Sequence, residues 1–98
     1  MAMPLRECGE IRNGNELIVF CLGRKENGDA HCDGLVRIPF SPPLLGYPMA
    51  RPNIYDRSRP YWTLVRGNRV DNLTLRPSIS ARDCGHFEIR DGMVIMLP

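Results

Sequence analysis

Asp91-Gly92 stands between two alternating apolar runs, Phe87-Glu88-Ile89-Arg90 and Met93-Val94-Ile95-Met96. No other feature limits so tightly what the chain can fold into. An Asp-Gly link is a preferred type I′ hairpin turn, because both central positions need φ > 0. In that register Arg90 pairs with Met93, Ile89 with Val94 and Phe87 with Met96. Phe87, Ile89, Val94 and Met96 then share one face and bury it, while His86, Glu88 and Arg90 lie on the other. Residues 86–97 are therefore expected to form a C-terminal antiparallel hairpin.

Elsewhere the punctuation of the chain argues against helices. Nine Gly and nine Pro in 98 residues leave little uninterrupted length for them, and no window carries an i, i+3, i+4, i+7 apolar stripe. Short apolar runs bounded by Gly, Pro, Asn and Asp read instead as strands. Residues 16–22 and 35–40 are expected to be two of these, paired antiparallel across a charged connection, and residues 61–66 a third. Trp62 in this third run reads as a large core or half-buried side chain. Residues 1–15 read as polar and irregular, with a turn at Asn13-Gly14. The expectation is a mainly β fold, a small antiparallel sheet in a single domain over residues 1–98.

Six of the nine prolines fall within residues 39–60, so this segment reads as a long Pro-rich loop. Loops of this length without secondary structure are usually functional or disordered. Tyr47, Arg51, Tyr55, Arg57 and Arg59 decorate it, and Tyr and Arg are enriched at binding hot spots. They are the candidate partner-binding residues. The competing reading is a proline-stiffened excursion with ordinary solvated charges.

Charge divides unevenly along the chain. Residues 1–50 hold five basic and six acidic side chains, and residues 51–98 eight and five. Twelve of the thirteen basic residues are Arg, which suits bidentate contacts to carboxylate or phosphate and stacking on rings. From Arg51 to Arg82 seven Arg face two acids, with Tyr55, Tyr61 and Trp62 interleaved. Cationic and aromatic side chains together are what single-strand binding uses, so a nucleic-acid-binding module is one reading of residues 51–82. An acidic protein surface is an equally good partner.

Cys84-x-His86 places two metal-ligating side chains on one side of an extended strand. Cys21, with His31 or Cys32, supplies the remainder of a tetrahedral set, and thiolate with imidazole suits zinc. Cys21, Cys32, Cys84 and His86 are the candidate zinc ligands. The alternative is free cysteines packed as small hydrophobes and a solvated His86. The sequence has no G-x-S-x-G, no P-loop and no H-E-x-x-H, so a non-catalytic protein is expected. No apolar leader or membrane-length run is present, from which a soluble, cytoplasmic protein with reduced thiols is expected. An exposed edge strand would let two copies pair as a homodimer.

Trp62, Gly67-Asn68, Leu73-Thr74-Leu75-Arg76-Pro77-Ser78-Ile79, Cys84-Gly85-His86-Phe87 and Ile89-Arg90-Asp91-Gly92 occur in an order that resembles an uncharacterised family of small phage and prophage proteins. Some members of that family bear the label ammonia monooxygenase. The resemblance implies a zinc-ribbon-like β-domain, although Cys21 and Cys32 are spread apart where members have a C-P-x-C-G knuckle. It also implies a phage setting, though no mechanism. Taken with the small size, the absence of catalytic motifs and the Pro-rich loop, that setting leads to the expectation of a phage-encoded interaction protein. Such a protein binds a host macromolecular complex, in defence or nucleic-acid handling, and inhibits it.

Overall fold

The structure is a computed structural model, described over residues 2–20, 35–53, 58–81 and 85–98. Its elements are β1 (Ala2–Pro4), α1 (Leu5–Cys8), β2 (Gly9–Arg12), β3 (Glu16–Val19), β4 (Val36–Ser41), β5 (Trp62–Arg66), β6 (Thr74–Arg76), β7 (Ile79–Ala81), β8 (Gly85–Arg90) and β9 (Met93–Met96). The protein is mainly β, with a single helical turn among the described residues. Two sheets form, of order β1-β9-β8-β7 and β2-β3-β4-β5-β6.

The C-terminal hairpin has the register that its alternation implies. Phe87 faces Met96, Ile89 faces Val94 and Arg90 faces Met93, and Asp91 and Gly92 take φ of 51° and 76°. The β3–β4 pair is antiparallel, with Leu17 opposite Ile38 and Val19 opposite Val36. Pro39 does not end its strand. It sits opposite Glu16, just before Phe40-Ser41, where β5 joins β4. The loop accordingly begins after Ser41, not at Pro39.

Two expectations need correction. Residues 1–15 are not irregular: Ala2, Met3 and Pro4 pair with Ile95, Val94 and Met93, and Gly9–Arg12 forms a hairpin with Glu16–Val19 through the Asn13-Gly14 turn. Nor is there one antiparallel sheet. The second sheet closes through a parallel pairing in which Phe40 and Ser41 lie beside Trp62 and Thr63. Parallel neighbours need a long crossover, and residues 42–61 supply it.

One apolar core joins both sheets. Leu17, Val19, Ile38, Phe40 and Leu75 come from the five-stranded sheet, and Ile79, Phe87, Ile89 and Val94 from the four-stranded one. Leu5 and Cys8 of α1 add to it. The inward residues recur with period two, as a sheet buried on one face requires. Fully burying each of Phe40 and Phe87 contributes about 1.5–3 kcal/mol. Trp62 is half-buried against this core, and its Nε1 is a buried polar atom with no hydrogen-bond partner among the described residues.

The hairpin tip locks the two sheets together. Gly92 N donates to Leu73 O at 2.9 Å, and its carbonyl accepts from Leu5 N at 2.8 Å. Asp91 N donates to Thr74 Oγ1 at 2.9 Å, and Arg66 Nη2 lies 2.6 Å from Asp91 Oδ1. The turn of one sheet thus rests on the β5–β6 connection of the other.

Candidate functional site

The inner face of β3 and β4 is spent on the core, so Glu16, Ile18, Arg37 and Pro39 point the other way. Ile18 and Pro39 are nevertheless buried. The crossover returns along this side and is tied to it by backbone acceptors. Asn15 Nδ2 donates to Pro48 O. Arg37 Nη2 donates to Arg51 O at 2.6 Å, while its Nε engages Glu16 Oε2. Leu44 N donates to Gly14 O at 2.7 Å, and Tyr61 Oη donates to Ala50 O at 2.7 Å. Asn53 N donates to Pro60 O at 2.8 Å, closing the base of the excursion.

The Tyr47 ring lies on the Asn13-Gly14 turn. A Cβ at Gly14 would meet that ring at 2.2 Å, so only glycine admits this approach. Between turn and crossover runs an open groove of about 390 Å³, lined by Asn15, Glu16, Arg37, Tyr47, Met49 and Arg51 among others.

Among the described residues, five large apolar side chains are exposed: Leu35, Leu45, Tyr47, Met49 and Val65. Three of them fall within residues 45–49. Leu45 is 100% exposed, Tyr47 52% and Met49 48%. Single exposed apolar residues are ordinary, whereas a cluster rimmed by polar groups marks an interaction surface. Three anchored acceptors, Pro48 O, Ala50 O and Arg51 O, hold the backbone beside this cluster. The side chains face solvent from a fixed strip.

Of the residues expected to bind a partner, Tyr47 and Arg51 line one groove. Arg59 is exposed and does not line it. Tyr55 and Arg57 lie outside the described residues. Leu45 and Met49 were missed, and their signal was available as apolar residues between prolines with no strand to bury them. Glu16, Arg37 and Asn15 carried no such signal, because their role comes from the return of the crossover.

Among the expected zinc ligands, Cys21, Cys32 and Cys84 lie outside the described residues, as does His31. His86 is exposed, with Nε2 2.7 Å from Ser78 Oγ. A hydrogen-bonded outer nitrogen is how zinc-ligating histidines are usually oriented. It leaves Nδ1 as the nitrogen a metal would take. Among the described residues no group of three or more His, Cys, Asp and Glu side chains comes together. Cys8, the last residue of α1, is a buried thiol. No helix among the described residues is long and apolar enough to cross a membrane. No protein-family model matches the chain, and no curated protein or solved structure does so.

Proposed function

We propose that this chain is a non-catalytic interaction protein that docks on a partner protein through the strip from Leu45 to Arg51. One observation carries the reading: Leu45, Tyr47 and Met49 face solvent from a backbone already tied to the sheet. A binding strip held in place avoids the ordering cost that a free loop would meet on association. Arg51 at the end of the strip, beside Arg37, favours an acidic rim on the partner. The resemblance to small phage proteins is the ground for placing that partner in a host complex, whose own contacts the bound protein would block. The nucleic-acid reading of residues 51–82 has its arginines divided, with Arg51 in this groove and Arg66 and Arg76 in another.

Leu45→Asp tests the reading cleanly, because a fully exposed side chain supports nothing in the fold. Tagged full-length protein is used for affinity enrichment from host cells, wild type against variant. The expected result is an unchanged melting temperature and loss of the enriched partner. Identical enrichment by both proteins would remove the strip from the binding site.

Zinc belongs to the same proposal as a staple of the scaffold. Native mass spectrometry is expected to show one zinc per chain that a chelator removes, and the same spectrum reports whether two copies associate. An identical mass with and without chelator returns Cys21, Cys32, Cys84 and His86 to ordinary packing.

A further inference from the structure

The second groove of the molecule lies at the seam where β6 packs beside β8. It has a volume of about 190 Å³ and is lined by Arg66, Arg76, Arg90, Thr74, Ser78 and Glu88 among others. Its three guanidinium groups come from three strands, β5, β6 and β8. They are not equally neutralised. Arg66 is held by Asp91 at 2.6 Å. Arg90 reaches Glu88 only at 3.6 Å, beyond a hydrogen bond. Arg76 has no acidic side chain within 4.0 Å among the described residues.

Three cations line the cleft with one anion, Glu88, and Asp91 pairs with Arg66 from outside the lining, which leaves an excess of positive charge and unused donors. Ser78 Oγ lies 2.7 Å from His86 Nε2, and its hydroxyl proton is available to a ligand in the tautomer whose Nε2–H donates to the serine oxygen. Thr74 adds none, because its hydroxyl already serves the Asp91 turn. The volume is below the ~300–1,000 Å³ of pockets that enclose a whole small molecule. It accommodates one compact group. Donors converging from three strands suit a group with three or more acceptor oxygens, and the planar fork of Arg matches phosphate in pairs of bonds.

We propose that this seam is a phosphate-binding site, with Arg76 and Arg90 as the principal donors and Ser78 as the third. The group it takes is a phosphoryl oxyanion, carried either by a small phosphorylated molecule or by the backbone of a nucleic acid strand. The site is separate from the Leu45–Arg51 strip and does not depend on it.

The test is a titration of the 15N-labelled full chain with inorganic phosphate at low ionic strength, against sodium chloride at matched ionic strength. Saturable shifts confined to the surroundings of Arg76, Ser78 and Arg90 are expected. Arg76→Gln should weaken phosphate binding about tenfold, as loss of one charge-assisted pair implies, and Arg90→Gln should act in the same direction. Arg69→Gln, on the exposed turn after β5 and outside the groove, should leave it unchanged. A parallel arm uses a short single-stranded oligothymidylate. Tighter binding than inorganic phosphate, falling steeply with salt, upholds the site and assigns it to a strand. Equal binding upholds it and assigns it to small phosphorylated molecules. Chloride reproducing the shifts, or Arg69→Gln weakening phosphate as much as Arg76→Gln, overturns the proposal.

Discussion

Gly92→Ala is expected to cost about 3 kcal/mol or more, whereas Gly46→Ala should cost only about 1 kcal/mol. Both glycines have positive φ, 76° and 88°, so each substitution meets the left-handed penalty of ~1–2 kcal/mol. Space separates them. A Cβ at Gly46 has nothing within 4 Å, while one at Gly92 would meet Asp71 O at 2.2 Å and its carbonyl carbon at 2.3 Å. Those are backbone atoms, so no rotamer change relieves the clash. The hairpin tip would have to lift from the β5–β6 connection, weakening the bonds of Gly92 with Leu73 and Leu5. Against a total stability of order 5–15 kcal/mol, that is a large fraction. Urea unfolding of the two variants beside wild type measures it. Equal losses at the two positions would show that the tip is not seated on Asp71.

Phe40→Ala and Phe87→Ala are each expected to remove about 3–5 kcal/mol, the usual cost of emptying a fully buried phenylalanine site. The more telling result concerns cooperativity. Phe40 belongs to the five-stranded sheet and Phe87 to the four-stranded one, yet both lie in one continuous core at 0% exposure. Either truncation should lower the protection of both sheets together in amide hydrogen exchange, with one unfolding transition by every probe. Protection retained in β8 and β9 of the Phe40→Ala protein would mean that the four-stranded sheet holds its own structure.

The two grooves differ in how far they could be anticipated. Residues 39–60 stood out by composition, and Tyr47 and Arg51 do line a common surface. The partners that hold the strip, Asn15, Glu16 and Arg37, come from a turn and two strands that carry no local sign of it. The seam was hidden more deeply. Arg66 and Arg76 fall in the Arg-rich segment, but Arg90 lies in the C-terminal hairpin and joins them only because β8 packs beside β6.

The sequence by itself determined those elements whose partners are close along the chain or whose alternation is long enough to read. Asp91-Gly92 set the β8–β9 register because only a positive-φ pair closes that hairpin, and Phe87, Ile89 and Val94 then had one face to bury. The runs in β3 and β4 were legible as short apolar stretches bounded by turn residues, and β5 by its alternation. β1, β6 and β7 were not, at three residues each, since such a run carries barely one alternation. They are strands because β9, β5 and β8 offer them backbone partners. The parallel β4–β5 contact and the splitting of the nine strands among the described residues into two sheets were likewise decided only in three dimensions. Backbone hydrogen bonds must be met somewhere, and local sequence says that a segment can extend without saying which distant edge will receive it.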